Sequence, residues 1–230
     1  MSFSAAKVRF VCFDADDTLW KNEEFYRQAE ARFARLLAGV LPPEQAVEGL
    51  FQTEMNNLET FGYGAKSFTL SMIQTALHFL PEQKAHQAVT EILQIGKDLI
   101  AHPVELLPGV RKTLEKLSGK YHLSVITKGD LLDQERKLHK SGLVPLFNCV
   151  EIVSDKTPSA YRELFVKLGA KPEEALMVGN SLRSDVFPAL ETGAHAAYLP
   201  CACGWKHEEM EEPAQPPYLK IAALSDLLRV

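Results

Sequence analysis

Three carboxylates stand within four positions of one another, at Asp14, Asp16 and Asp17, directly after the apolar run from Val8 to Phe13. Acids this close raise one another's pKa and oppose folding unless positive charge sits among them. A bound cation, a phosphate-handling site or a solvated turn would each tolerate them. Further polar groups also follow apolar runs: Thr127-Lys128-Gly129-Asp130, then Ser154-Asp155-Lys156-Thr157-Pro158, then Gly179-Asn180-Ser181 with Asp185 shortly after. Together they offer acids, a hydroxyl and an ammonium. That inventory suits phosphoryl transfer, in which a dianion is held, a metal offsets repulsion and a nucleophile reaches phosphorus.

The elements that must bring these groups together can be read from periodicity. Five short apolar runs punctuate the chain, at Val8–Phe13, Leu123–Ile126, Val150–Val153, Leu176–Val178 and Ala196–Leu199. From the second onward they alternate with helical spacing, as in Val110, Leu114 and Leu117 or Tyr161, Leu164, Phe165 and Leu168. Strands alternating with helices predict an α/β fold: a Rossmann-like parallel sheet with helices on both faces. In such sheets ligands sit beyond the carboxyl ends of the strands, where every one of the polar groups lies.

The interval after the first strand is too long for one crossover. From about Asn22 to His102 it reads as helices, with Phe25, Ala29, Phe33 and Leu36 on one face and Ala85, Val89, Ile92, Gly96, Leu99 and Ile100 on another. Pro42-Pro43 and Phe61-Gly-Tyr-Gly64 break it. The expected organisation is a core of residues 1–20 and 105–230 interrupted by a helical insert at 21–104. Cys201 to Pro217 reads as a polar surface loop before a closing segment at Ile221–Leu228.

Composition excludes several functions. A net charge of −5 with no basic block argues against binding a nucleic acid polymer. No apolar run approaches the ~20 residues of a membrane-spanning helix, and the N-terminal stretch lacks a signal-peptide core. Four cysteines, one inside the first strand, read as reduced thiols of a cytoplasmic protein. The oligomeric state has no signature in the sequence.

The four polar signals, in this order and on these elements, resemble the haloacid dehalogenase-like (HAD) hydrolase superfamily over nearly the whole chain. Asp14-x-Asp16-x-Thr18 fits its first motif, Thr127 its second, Lys156 its third, and Gly179-Asn180-Ser181 through Asp185 its fourth. Each motif alone is weak, and the ordered set is specific. The insert after the first motif resembles the family's helical cap of the first type.

The resemblance implies a Mg²⁺-dependent phosphatase acting on a small phosphorylated metabolite. Asp14 matches the nucleophile that forms an aspartyl-phosphate, and Asp16 the general acid and base, its backbone carbonyl also a metal ligand. Thr127 and Lys156, with Lys128 as a further candidate, would hold the phosphoryl group. Asp185 would give a carboxylate to the metal, with Asn180 beside it where the family more often has aspartate. Dehalogenases of the same superfamily are the alternative, but they lack an acid two residues after the nucleophile. A catalytically silent interaction protein on the same fold would not need Asp14, Asp16, Thr127 and Lys156 together.

Plainer roles are expected elsewhere. Asp17 reads as a solvated acid capping the turn, Thr18 as support for the first-motif loop, and Asp130 as a helix N-cap. Lys128 as a solvated loop lysine is the alternative to phosphate binding. Ser181 caps or lines the pocket. Trp20 lines an entrance or anchors the chain past the loop. Cys201 and Cys203 with His207 offer three potential zinc ligands without a fourth, which favours a cysteine-bearing loop.

Overall fold

In the computed structural model, which describes residues 7–229, the strands are β1 (Phe10–Phe13), β2 (His122–Lys128), β3 (Cys149–Val153), β4 (Ala175–Gly179), β5 (His195–Tyr198) and β6 (Leu219–Lys220). They form one sheet in the order β3-β2-β1-β4-β5-β6, and every pairing is parallel. β1 to β5 stand on the five apolar runs. β6 precedes the expected closing segment, and at two residues it is too short for an apolar run to announce it. The helices are α1 (Glu23–Leu37), α2 (Pro43–Phe61), α3 (Ala65–Phe79), α4 (Glu82–Ala101), α5 (Val110–Ser118), α6 (Leu131–Ser141), α7 (Pro158–Leu168) and α8 (Phe187–Glu191). Among the described residues no helix is long and apolar enough to cross a membrane.

Successive side chains of a strand point to opposite faces, and both faces of this sheet are apolar. Val11 and Phe13 of β1, Leu123 and Val125 of β2, and Leu176 and Val178 of β4 pack with Val110, Leu114 and Leu117 of α5. Phe10, Cys12, Ile126, Ala175 and Met177 turn the other way, onto Tyr161, Leu164 and Phe165 of α7 and Ala189 of α8. The sheet is therefore buried on both sides, which is why its strands read as continuous apolar runs. The chain runs outward from β1 in both directions, through β2 to β3 and through β4 to β6. The carboxyl end of β1 is the switch point of the sheet, the place where a crevice for a ligand opens.

Contacts divide the chain into two compact units. One holds the sheet, with residues 7–23, Val104–Lys128 and residues 134–229. The chain leaving β1 and the chain returning to it pair there: Trp20 bridges Leu106 in antiparallel fashion, and Lys21 N donates to Glu105 O at 3.0 Å. The other unit is Glu24–Pro103 together with the short segment Gly129–Asp133. Within it Lys66 Nζ meets Asp130 Oδ2 at 3.0 Å, and Asp130 Oδ1 accepts from Asp133 N, the N-cap expected for α6.

The helical unit has its own core, with Phe33, Leu37, Leu50, Met72 and Ile92 fully buried. The buried face of α4 is Ala85, Ala88, Ile92, Ile95 and Gly96, so Ala88 and Ile95 replace the expected Val89 and Ile100. At Gly96 a Cβ would fall on the side chain of Thr69, so glycine lets α3 and α4 approach. A polar seam joins α2 to α3, where Asn57 Nδ2 donates to Ser71 Oγ at 3.1 Å and Gln74 Oε1 at 3.0 Å.

Burial, and then the neighbouring Glu30 carboxylate, push Glu54 of α2 up to about 8. The folded chain holds this proton more tightly than the unfolded chain, whose glutamate titrates near ~4.3. The associated stability is complete below that value and is lost as pH rises through about 8. Glu54→Gln cannot ionise, so its thermal midpoint should match the wild type near ~pH 4 and exceed it by roughly 5 °C near ~pH 9. Identical midpoints at both pH values would contradict this.

Candidate active site

β1 ends where Asp14 N donates to Val178 O at 2.9 Å, which fixes Asp14 against the end of β4. The chain then turns tightly. Leu19 N donates to Ala15 O at 2.8 Å and Asp17 N to Trp20 O at 2.7 Å, and Asp17 takes the left-handed conformation with φ of 60°. Its carboxylate accepts from Asn22 N at 2.9 Å and Glu23 N at 3.0 Å, capping the start of α1. Capping is the expected role, but Asp17 is half-buried rather than solvated. Burial pushes it up to about 6.

Lys156 is the centre of the cluster. It is 4% exposed, and its Nζ pairs with Asp14 Oδ1 and, at 2.7 Å, with Asp185 Oδ1. Burial alone would lower this ammonium, but Asp14 and Asp185 outweigh it and hold Lys156 above its ordinary value. Burial drives Asp14 up to about 7, against the pull of Lys156 and with a further push from Asp185. Asp185 is raised for the same first reason. Two carboxylates exceed the single positive charge that Lys156 supplies.

Asp185 is delivered by a π-helical turn, Leu182–Val186, a form that recurs at functional sites. Ser181 caps it, its Oγ accepting from Ser184 N at 3.0 Å. Ser181 N in turn donates to Asp185 Oδ2 at 2.9 Å. Of the two roles open to Ser181, capping is the one seen. A Cβ at Gly179 would fall on the Asp185 side chain, so the close approach of that acid to β4 requires glycine.

Asn180 reaches back over β1. With its amide nitrogen turned inward it donates to Asp14 Oδ2 and Asp16 O, both at 3.1 Å, and to Thr18 Oγ1 at 3.2 Å. Turned the other way, its oxygen converges with the same two oxygens, an arrangement that only a cation makes favourable. An all-oxygen set of carboxylates, a backbone carbonyl and an amide is the donor chemistry a hard divalent cation takes. Among the described residues no group of three or more His, Cys, Asp or Glu forms a metal cage.

Thr127 and Asp16 are brought together by residues that motif reading did not single out. Gln134 of α6 is buried, and its Nε2 donates to Thr127 Oγ1 at 2.7 Å, Asp16 Oδ2 at 3.1 Å and Lys128 O at 2.9 Å. Because the Thr127 oxygen accepts there, its own proton is directed elsewhere. Lys137 Nζ meets both Asp16 oxygens, at 2.6 and 2.8 Å. Trp20 is buried, and its Nε1 donates to Asp16 Oδ1 at 2.7 Å. The available signal was spacing: Gln134 and Lys137 are three apart on the helix that follows Thr127.

Lys128 is not a solvated loop lysine. It forms an ion pair with Glu208 and donates to Ser184 Oγ at 2.8 Å. Glu208 comes from the polar loop read between Cys201 and Pro217, and nothing in the sequence pattern marks it. Burial would raise Glu208, but Lys128 pulls it below its ordinary value. In the same loop Cys203 N donates to Cys201 Sγ at 3.4 Å, and the His207 ring packs on Trp205. No zinc cluster forms there among the described residues, and all four cysteines are unbridged.

A family model for haloacid dehalogenase-like hydrolases matches residues 8–191. A "Glyceraldehyde 3-phosphate phosphatase" of Methanothermobacter thermautotrophicus is 33% identical over 203 residues, covering 82% of this chain and 84% of that protein. The protein of the same name from Pyrococcus furiosus is 34% identical over 99 residues, only 40% of this chain and 41% of that one. A crystal structure of a haloacid dehalogenase-like family hydrolase from Xanthomonas campestris superposes with a TM-score of 0.84. It is 38% identical and covers 97% of this chain and 91% of that one.

Proposed function

The chain belongs to the haloacid dehalogenase-like hydrolases, and within that family we propose that it is a phosphatase, hydrolysing a small phosphorylated metabolite through an aspartyl-phosphate on Asp14. The observation that carries this reading is the placement of Lys156 between Asp14 and Asp185 at the switch point of the sheet. The name borne by its relatives makes a triose phosphate the first substrate to try.

Each step falls to a residue of this chain. Asp14 attacks phosphorus while Lys156 draws charge off both the nucleophile and the phosphoryl oxygens. The Thr127 proton, directed away from Gln134, is available to a phosphoryl oxygen. Asp16 protonates the leaving oxygen and then takes a proton from the water that cleaves the anhydride. An acid at this position separates the reading from dehalogenation, in which halide leaves without a proton. Asp14, Asp185, the Asp16 carbonyl and Asn180 would hold Mg²⁺. When bound, Mg²⁺ neutralises negative charge shared between these acids and the phosphoryl group. Lys128 is assigned to orienting the Ser184–Asp185 turn with Glu208 rather than to substrate.

We assign residues 21–104 as a cap that selects the leaving group and residues 1–20 and 105–230 as the core. The test is a panel of phosphorylated metabolites assayed with Mg²⁺ and with excess chelator. Turnover should fall by at least about a hundredfold in chelator and return on adding Mg²⁺. Substitutions confined to residues 24–103 should reorder the panel. Full activity in chelator would remove the metal from the account, and no turnover of any phosphate ester would remove the phosphatase.

A further inference from the structure

Asp16 carries more hydrogen bonds than its proposed role requires. Its Oδ1 accepts from Trp20 Nε1 at 2.7 Å and Lys137 Nζ at 2.6 Å; its Oδ2 accepts from Gln134 Nε2 at 3.1 Å and Lys137 Nζ at 2.8 Å. Both carboxylate oxygens are thus engaged, each by Lys137 and one further donor. Lys137 is itself steered by Asn22 Oδ1 at 3.0 Å. Gln134 is held in one orientation by three acceptors, while its Oε1 is buried with no partner.

We propose that Lys137 and Gln134 are positioning residues for the proton transfer, acting through Asp16 and Thr127 without touching substrate. The inference rests on the reading of Asp16 as general acid. As the phosphorus–oxygen bond breaks, its electron pair stays with the leaving oxygen. That oxygen takes the Asp16 proton, and negative charge develops on the Asp16 carboxylate. Lys137 is aimed at the atoms where that charge appears, so it interacts more strongly with the transition state than with the protonated acid. Gln134 ties Asp16 to Thr127, which fixes the distance between the proton donor and the hydroxyl that holds the phosphoryl group.

The two residues should therefore fail differently, and the readout is dependence on the leaving group. On an alkyl phosphate, whose leaving oxygen needs the proton, Lys137→Met should lower kcat roughly 100-fold. On an activated aryl phosphate the loss should be less than about threefold, with KM within about twofold on both. Lys137→Arg should restore most of the alkyl activity. Gln134→Met should raise KM for both esters, because it loosens Thr127, and should lower kcat more on the alkyl than on the aryl ester, because it releases Asp16 from Thr127. Equal losses of kcat on the two esters would remove Gln134 from the inference. If the Met variant of Lys137 does not fold, Lys137→Gln supports the same comparison. Asp16→Asn is run beside them as the reference. Equal losses on both esters, or none, in the Lys137 variants would overturn the inference if Asp16→Asn still discriminates between the esters. An Asp16→Asn variant that does not discriminate would overturn the general-acid reading, and the inference with it.

Discussion

Asp14→Asn should abolish phosphate ester hydrolysis, lowering kcat by roughly 10³-fold or more while the chain stays folded. The amide keeps the size of the side chain and the backbone contact of Asp14 with Val178, but it has no charge with which to attack phosphorus. Lys156 retains its partner Asp185 at 2.7 Å, so no buried charge is orphaned. The variant thereby separates chemistry from stability. Steady-state assay on the best ester of the panel, beside a thermal melt, is the check. Near wild-type turnover in Asp14→Asn would end the covalent mechanism.

Lys156→Met is the opposite case, because it strikes both. It removes the ammonium that Asp14 and Asp185 share and leaves two buried carboxylates facing each other. Breaking a buried pair from one side costs about 3–5 kcal/mol, since the remaining charge is left uncompensated. The metal-free protein should lose that much in urea unfolding near neutral pH, and activity should fall with it. Removing the repulsion between the two carboxylates by a second change, Asp185→Asn in the same chain, returns the cluster to its wild-type net charge and should recover a large part of the stability and none of the activity. A Lys156→Met protein as stable as the wild type would show that the cluster is not held by this ion pair.

The sheet was legible because it is buried on both faces. Val11 and Phe13 serve one face and Phe10 and Cys12 the other, so β1 shows as an unbroken apolar run that no helix period explains. β6 pairs only through Ala197 with Leu219 and Tyr198 with Lys220, and two residues at an edge leave no pattern to read. The strand-end residues were legible because each lies at a fixed offset from such a run. Glu208, Gln134 and Lys137 were not. They reach the same edge from a loop and from a helix face, and their partners are up to 121 positions away in the chain. Lys128 is an example of partners that position does not show. Position alone made it a phosphate ligand or a solvated lysine, whereas its surroundings give it Glu208 and Ser184. Asn180 shows a subtler limit: the residue type says only that charge is missing, and the geometry adds that its amide faces Asp14 Oδ2 and Asp16 O together.

The measurement that bears most directly on catalysis through Asp14 is the stereochemical course at phosphorus. A phosphate ester made chiral with oxygen isotopes is hydrolysed in isotopically labelled water, and the configuration of the released phosphate is determined. Attack by Asp14 followed by attack of water is two in-line displacements, each inverting phosphorus, so the product should show net retention. Net inversion would mean that water attacks the ester in a single step, and it would contradict an aspartyl-phosphate on Asp14.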